Sequence, residues 1–433
     1  MVYEALGKPV QDGVDTSLAD QCQVLQEVAL APYTVCFCGS YYLPLLTLLR
    51  VTVWLSYVLD FERQESLFYA MLGARYMRQC IDPIEGELFS QPFDLGTILA
   101  SSTSELHSTL RHDRVYALLG LIPSSTLNGP NGKLLEPDYE KPVHEVLQNA
   151  VAAALSSSPS RNFFRLIDHP DLDGYPGEGH ASWMPYTLSP VEAATAKPSS
   201  FFFLRTADQF RPRAATVTAQ RPHVIQTLGV ALDVVARTSD PSPVHPRCQD
   251  LDFDWQALDA WLDACTQIAA HDNNASNRDD MAPQLPVDLA CTLVADTILS
   301  LRSAPRPMVA SDLTTFARYR DLVHEAATNP DSSGSEQVVA QLQADTALDN
   351  CAYPLKWACR NRRFFATKSG RIGIGPLATR AGDLVAVLYG EGEPIVLRPC
   401  GEQFLVVGSS YVHGVMDGEA LEGDVEERMF DLI

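Results

Sequence analysis

The sequence predicts an α+β chain, mostly helical to about residue 350 and ending in a small antiparallel β-rich subdomain. Three observations lead there. Apolar residues recur at helical spacing between residues 17 and 122, helical stripes return in the middle of the chain, and the period drops to two after residue 363. Turn-rich stretches then place the boundaries, giving regions 1–122, 123–350 and 351–433.

In the first region Val24, Leu25, Val28 and Ala29, and later Leu67, Met71, Leu72 and Met77, recur near helical spacing, and Leu106, Leu110 and Arg114 to Leu121 close it. Leu43 to Leu59 is the most apolar window. With 17 residues and Arg50 at its middle it falls short of the ~20 residues that span a bilayer, so it reads as a buried helix. The Pro, Gly, Ser and Asn of residues 123–135 mark a loop leaving this core.

The middle region opens on Pro142 as a first helical residue, followed by Val143, Val146, Leu147, Ala150, Val151 and Ala154 on one stripe. Residues 156–222 read as irregular connections around a Trp183 anchor, and Val224 to Val235 alternates as a strand does. Trp255, Leu258, Trp261, Leu262 and Cys265 share one helix face, as do Leu289, Leu293, Asp296 and Ile298; the polar residues 271–284 between them read as a mobile loop.

The last region holds short β-type runs at Arg363 to Thr367, Asp383 to Leu388, Ile395 to Arg398 and Gln403 to Val407, with turns such as Gly390 to Pro394. Asp383 to Tyr389 is apolar on both faces, which predicts a central strand covered by helix.

Charge excludes some partners. Lys and Arg total 32 against 54 Asp and Glu, a net charge of -22, which opposes nucleic acid and anionic lipid because both need clustered cations. Ten scattered cysteines with no C-x-x-C spacing predict reduced thiols and no metal site; Cys36 and Cys38 read as core packing. No apolar leader follows the N-terminal Glu4, Lys8, Asp12 and Asp15, so a cytoplasmic location is expected and the sequon at Asn274 has no glycosylation machinery to meet.

Several residues could carry chemistry. His413, Asp417 and Glu419 form the most enzyme-like group, an imidazole base with carboxylates to orient it, although the same residues read more simply as a Gly-bounded turn capped by Asp and Glu. Asp113 and Arg114 read as a helix N-terminal cap and its ion-pair partner. Asp233 and Asp296 are isolated carboxylates that read as caps or exposed positions. Gly370, Gly373 and Gly375 lack the helix N-terminus that a phosphate loop needs, and Gly408-Ser409-Ser410 lacks the second glycine of a nucleophile elbow, so no cofactor is expected.

Together these segments resemble a known family. Arg111-His112-Asp113-Arg114-Val115-Tyr116-Ala117-Leu118-Leu119-Gly120-Leu121 looks like the block that closes the fungal heterokaryon-incompatibility (HET) domain. Val24 to Ala31, with Gln26 and Glu27, followed by Val35, Cys38 and Gly39, is similar to the family's Gln-Glu block and its Cys-Gly. Pro137-Asp138-Tyr139, Ser182-Trp183-Met184-Pro185 and Leu228 to Asp233 resemble the segments that follow the domain, and Arg363 to Thr367, Gly373 to Pro376, Gly382-Asp383 and Tyr411 to Ala420 are typical of long members.

The resemblance implies that Gln26, Glu27, Asp113, Arg114, Tyr116 and Trp183 belong to structural motifs. It also implies an N-terminally shortened, divergent remnant of a TIR-like, flavodoxin-like α/β layer. The strands and the Asp-x-x-Cys-Ile-Asn-Gln-like block that normally open the domain are not found, nor is the Trp before the Gln-Glu block, where Cys22 and Gln23 stand. Two functions follow as expectations. The first is self/non-self recognition or regulated cell death through a protein partner. The alternative is a cofactor-independent cyclase or pericyclase of a fungal metabolite pathway, acting on a hydrophobic small molecule in a pocket between the helical core and the C-terminal β-rich part; the chain's aromatics Phe163, Phe164, Trp183, Phe201 to Phe203, Trp255, Trp261 and Trp357 would suit such a task but read by default as core.

Overall fold

A computed structural model describes residues 31, 33–38, 40–48, 50–51, 95–96, 99, 108, 110–122, 135–157, 164, 167, 169, 171–173, 181–184, 207, 216–218, 221–244, 254–270, 287–300, 303–329, 338–342 and 344–433. Gln26, Glu27, Phe163, Phe201 to Phe203, the apolar runs at 24–29 and 67–77 and the loop 271–284 lie outside them. The described residues mix helix and strand, and the chain divides into two compact units: Met1–Phe163 with Glu178–His180 and Thr216–His223, and Phe164–Gly177 with Ala181–Ala215 and Val224–Ile433.

The first unit holds a hairpin of β1 (Val35–Cys38) and β2 (Tyr41–Pro44), the helices α1 (Asp113–Leu119) and α2 (Val143–Ser157), and the short strand β3 (Thr216–Thr218). In α1 every residue but Arg114 is buried, so this short helix is core on nearly all sides. The stripe read on α2 is present: Val146, Leu147, Ala150, Val151 and Ala154 are all buried.

In the second unit β4 (Arg221–Thr238, in this unit from Val224) is an 18-residue strand, longer at both ends than the alternation over Val224 to Val235 suggests. Helices α3 (Trp255–Ala270), α4 (Val287–Leu293), α5 (Ala310–Thr328) and α6 (Thr346–Cys359) follow, with a small hairpin of β5 (Ile298–Ser300) and β6 (Ser303–Arg306) after α4. Then come β7 (Arg362–Thr367), β8 (Ile372–Pro376), β9 (Leu384–Leu388), β10 (Ile395–Cys400), β11 (Gln403–Ser409), β12 (Tyr411–Val412) and β13 (Glu427–Leu432).

Ile298 does not continue the helix face expected of it. Ala295 and Asp296 take positive φ values of 51° and 49°, which ends α4 and turns the chain into β5. The Asp296 carboxylate holds that turn by accepting the Met308 amide at 3.1 Å.

The sheet is larger than the small one expected, and it closes on itself. Pairings run β4–β13, β13–β11, β11–β10, β10–β9 and β9–β4, a ring of five strands, antiparallel except where β11 meets β13. The far end of β4 pairs with β7, which extends the sheet through β8 to β12. One long strand thus serves both the ring and its extension. The two-faced apolar reading of β9 fits its place: it lies between β10 and β4, and Val385 to Leu388 are fully buried.

At the β4–β9 closure Gly229 is needed for space, since a Cβ there would stand 2.4 Å from the Val387 carbonyl oxygen. Beyond that pairing, the Val235 amide donates to the Asp383 carbonyl and the Gly382 amide to the Val235 carbonyl. Asp383 is itself clamped by Arg398, whose Nε and Nη2 reach the two carboxylate oxygens at 2.9 and 3.1 Å, both residues being buried. A second core gathers α3, α4, α5 and α6 against β7 and β8 and contains Trp255, Trp261, Phe316, Tyr319 and Phe364.

Candidate functional site

The His413 turn begins where β12 pairs with β8, Tyr411 opposite Ile374 and Val412 opposite Gly373. The His413 amide donates to the Ile372 carbonyl at 3.0 Å, so the backbone is fixed up to the imidazole. Gly414 and Gly418, at φ 72° and 97°, then turn the chain into the short 3-10 helix Glu419–Leu421, with Met416 buried beneath.

The ring meets partners from two directions. Its Nδ1 lies 3.3 Å from the Tyr411 hydroxyl, and its Nε2 lies 3.4 Å from Oδ1 of Asp288 on α4. Tyr411 is buried, whereas the His413 side chain is 31% and Asp288 68% exposed. A carboxylate so exposed orients an imidazole only weakly, because solvent screens the pair. Glu419 instead accepts the Asp417 amide at 2.8 Å, closing the turn as a cap. His413, Asp417 and Glu419 therefore share a turn, and the carboxylate that reaches the ring comes from a helix more than a hundred residues earlier. The sequence offered no signal for Asp288.

In the first unit Asp113 is the first residue of α1, behind an N-cap at His112, and its buried carboxylate accepts the Tyr139 hydroxyl at 2.7 Å. Burial, the bond to Asp113 and its negative charge push the Tyr139 phenol up; the hydrogen bond is the largest of these causes. The Tyr116 hydroxyl donates to the Asp138 carbonyl at 2.9 Å, and the His112 Nε2 lies 2.8 Å from the Lys141 carbonyl oxygen. The rings of His112, Tyr116 and Tyr139 pack together with centroids 5.2 to 6.0 Å apart. The Arg111–Leu121 block and the Pro137-Asp138-Tyr139 segment thus form one clasp, a structural use of both.

Other readings resolve as structure. Asp233 holds the β7–β8 turn through the Ser369 amide and hydroxyl. Partial burial pushes its carboxyl up, but the Ser369 and Thr367 hydroxyls and two backbone amides outweigh that and leave it below the usual range. Gly373 and Gly375 make room for the Phe365 ring, and Gly373 also for the Tyr411 carbonyl. The Ser409 carbonyl accepts from the buried Arg362 guanidinium at 2.9 Å. Glu391, in the Gly390 to Pro394 turn, is buried, its carboxylate accepting the Phe164 amide at 3.1 Å.

Among the described residues no three His, Cys, Asp or Glu side chains gather as a metal site, and no helix is long and apolar enough to cross a membrane. Buried thiols are held protonated: desolvation pushes Cys291 up to about 12, with Asp296 and Asp288 adding to it, and it raises Cys265 and Cys359 as well. Three of the tryptophans lie in the core, as their default reading has it. Trp183, Trp255 and Trp261 are buried, and the Trp261 indole N–H reaches the Ser239 hydroxyl and the Asp240 carbonyl. Phe164 is buried too, and Trp357 lies beneath the Arg360 guanidinium, 5.8 Å from the ring centroid.

Residues 308–433 match the family model of the Het-6 beta-barrel domain. A stretch of 71 residues is 37% identical to the heterokaryon incompatibility protein 6, OR allele, of Neurospora crassa, covering 16% of this chain and 10% of that protein's length. No solved structure matches. The matched region supplies four of the ring's five strands, and β4, which closes the ring, lies ahead of it.

Proposed function

We propose that this chain acts in fungal self/non-self recognition or regulated cell death, through contacts with a protein partner. The observation that carries this reading is the match of residues 308–433 to the Het-6 beta-barrel domain, supported by the similarity to a heterokaryon incompatibility protein. In this reading the first unit is the remnant of a TIR-like, flavodoxin-like layer, held together by the Asp113–Tyr139 clasp, while the second unit presents the contact surface. Asp113, Arg114, Tyr116 and Trp183 are structural. Any chemistry is placed on the His413 turn.

The test is inducible expression in a filamentous fungus, scored for dye uptake and growth arrest after cell fusion, alongside cross-linking of the tagged chain in the same cells. Death on fusion, with a discrete cross-linked protein, is the expected result. Normal viability with no cross-linked protein, and conversion of an apolar metabolite precursor by the purified chain, would overturn it.

A further inference from the structure

Where β4 leaves the ring, one turn holds it. Its pairing with β9 ends at Val234–Leu384 and its pairing with β7 starts at Val235–Thr367, so consecutive residues pass from the ring to the extension. The β7–β8 turn, Lys368 to Arg371, sits on that link. The Lys368 amide donates to the Val234 carbonyl at 2.9 Å, and the Ser369 amide, at 2.8 Å, and hydroxyl both donate to Oδ2 of Asp233. The other carboxylate oxygen accepts the Val234 amide at 2.7 Å, so one side chain ties turn and strand together.

Charge and exposure single out the Ser369 hydroxyl. Between Asp349 and Asp383 the chain carries seven Lys and Arg and no Asp or Glu, although acids outnumber bases 54 to 32 in the whole sequence. Of the three Ser and Thr in that span, Thr367 and Thr379 are buried, whereas Lys368, Ser369, Gly370 and Arg371 are all exposed. The span thus offers one reachable Ser or Thr hydroxyl, with a cation just before it and another two residues after it. An enzyme that reads its protein substrate through an acidic groove meets that pattern. The bonds that hold the hydroxyl are made at the surface, at a turn with Gly370 at φ 88°, and surface turns of this kind open locally without unfolding the ladders beside them.

We propose that Ser369 is a phosphorylation site whose modification releases the β7–β8 turn from β4. The Ser369 Oγ attacks the γ-phosphorus of a nucleoside triphosphate, the bond from that phosphorus to the β–γ bridging oxygen breaks, the nucleoside diphosphate leaves, and the hydroxyl proton passes to a base on the kinase. The donor to Asp233 is thereby lost, and a group of about -1.5 to -2 charge stands against the Asp233 carboxylate, where like charges repel. Lys368 and Arg371 favour the phosphate outside the turn. The passage from ring to extension loses its clasp, while the strands on either side keep their own ladders. The inference is independent of the proposed action in cell death.

The test incubates the full chain with magnesium, a nucleoside triphosphate and a serine/threonine kinase selective for basic substrates, and locates phosphate by fragment masses. One phosphate on Ser369 is expected, none on Ser369→Ala, and labelling about tenfold slower when Lys368→Ala and Arg371→Ala are combined. In the phosphorylated chain the Lys368 and Ser369 amides should exchange hydrogen about tenfold faster, with the β10–β11 amides unchanged. Should Ser369→Ala fail to fold, the fragment masses of the wild-type chain still assign the site. No phosphate on the chain, phosphate only at other residues, or a Ser369 phosphate that leaves both turn amides as protected as before overturns the proposal.

Discussion

Two sides of the same ring are closed by different means. Where β4 meets β9, five residue pairs run from Gly229–Leu388 to Val234–Leu384, and the Asp383–Arg398 clamp pins the strand end beyond them. Where β11 meets β13, at a seam with the pair Phe404–Leu432, the Ser182 hydroxyl from a distant segment accepts the Val406 amide and donates to the Ile433 backbone oxygen. The first side is stabilised by contacts internal to the strands. The second draws on Ser182 and His169, which lie in no strand, so it is the side on which a titrating group can act.

Breaking the ladder side should cost most. Arg398→Met leaves the Asp383 carboxylate buried without its guanidinium, and removing one partner of a buried pair costs about 3 to 5 kcal/mol. Urea unfolding should show it as a lower midpoint with an unchanged slope. Replacing both residues together, as Asp383→Leu with Arg398→Met, should recover much of that loss; no recovery would mean that the Asp383 carboxylate matters through the Arg380 amide it also accepts, at 2.9 Å, instead.

The seam is broken by acid. Burial holds the His169 imidazole down to about 4, against 6.5 for an ordinary histidine, the Ser182 carbonyl opposing that shift only in part. The neutral ring is therefore favoured in the folded chain. Its contribution is fully present above pH 6.5 and is lost as pH falls from there through about 4, in total about 3 kcal/mol. Asp233 and Asp259 lie below the usual carboxylate value, so their losses come at lower pH than that of His169. His169→Gln should flatten the stability profile between pH 6.5 and 4, and an unchanged slope would place the acid sensitivity elsewhere.

Gly229→Ala tests the same contrast by volume. The new methyl meets the backbone of β9, which cannot rotate away, so about 1 to 3 kcal/mol of stability should go. Exchange protection should fall along β9 and β4 while the seam amides stay as they were. Loss at the seam first would show that the two closures are coupled.

Much of this ring was readable as strands and very little as a ring. Period two and Gly turns mark β7, β9, β10 and β11, because each carries its own pattern, whereas the glycines of β8 read as a stretch between strands. That β4 pairs with β9 and β13 is a contact across some 150 to 200 residues, which no local spacing encodes. Likewise Trp183 is legible as an anchor by its size, but the work of its neighbour Ser182 depends on where Val406 and Ile433 meet. Asp113 reads as a helix cap, but it is the first helical residue, behind the N-cap His112. Its partner Tyr139 comes 26 residues later in the chain, so the clasp is invisible until the chain is folded.

The smallest effects separate the clasp from the His413 turn. Asp113→Ala removes a buried acceptor from the Tyr139 hydroxyl at the first residue of a buried helix, and about 0.5 to 2 kcal/mol should be lost. Tyr139→Phe should cost no more, because its ring packing against His112 and Tyr116 survives. His413→Ala gives up a solvent-screened approach to Asp288 and a 3.3 Å contact with Tyr411, while the backbone bond to Ile372 remains, so under about 1 kcal/mol is expected. Melting temperature and the cell-death score, measured on both variants, tell position from function. Asp113→Ala should lose activity only in proportion to its lower melting temperature, whereas His413→Ala should melt near wild type and lose activity if the turn carries chemistry. A His413 variant that unfolds, or an Asp113 variant that melts normally yet is inactive, would exchange the two roles.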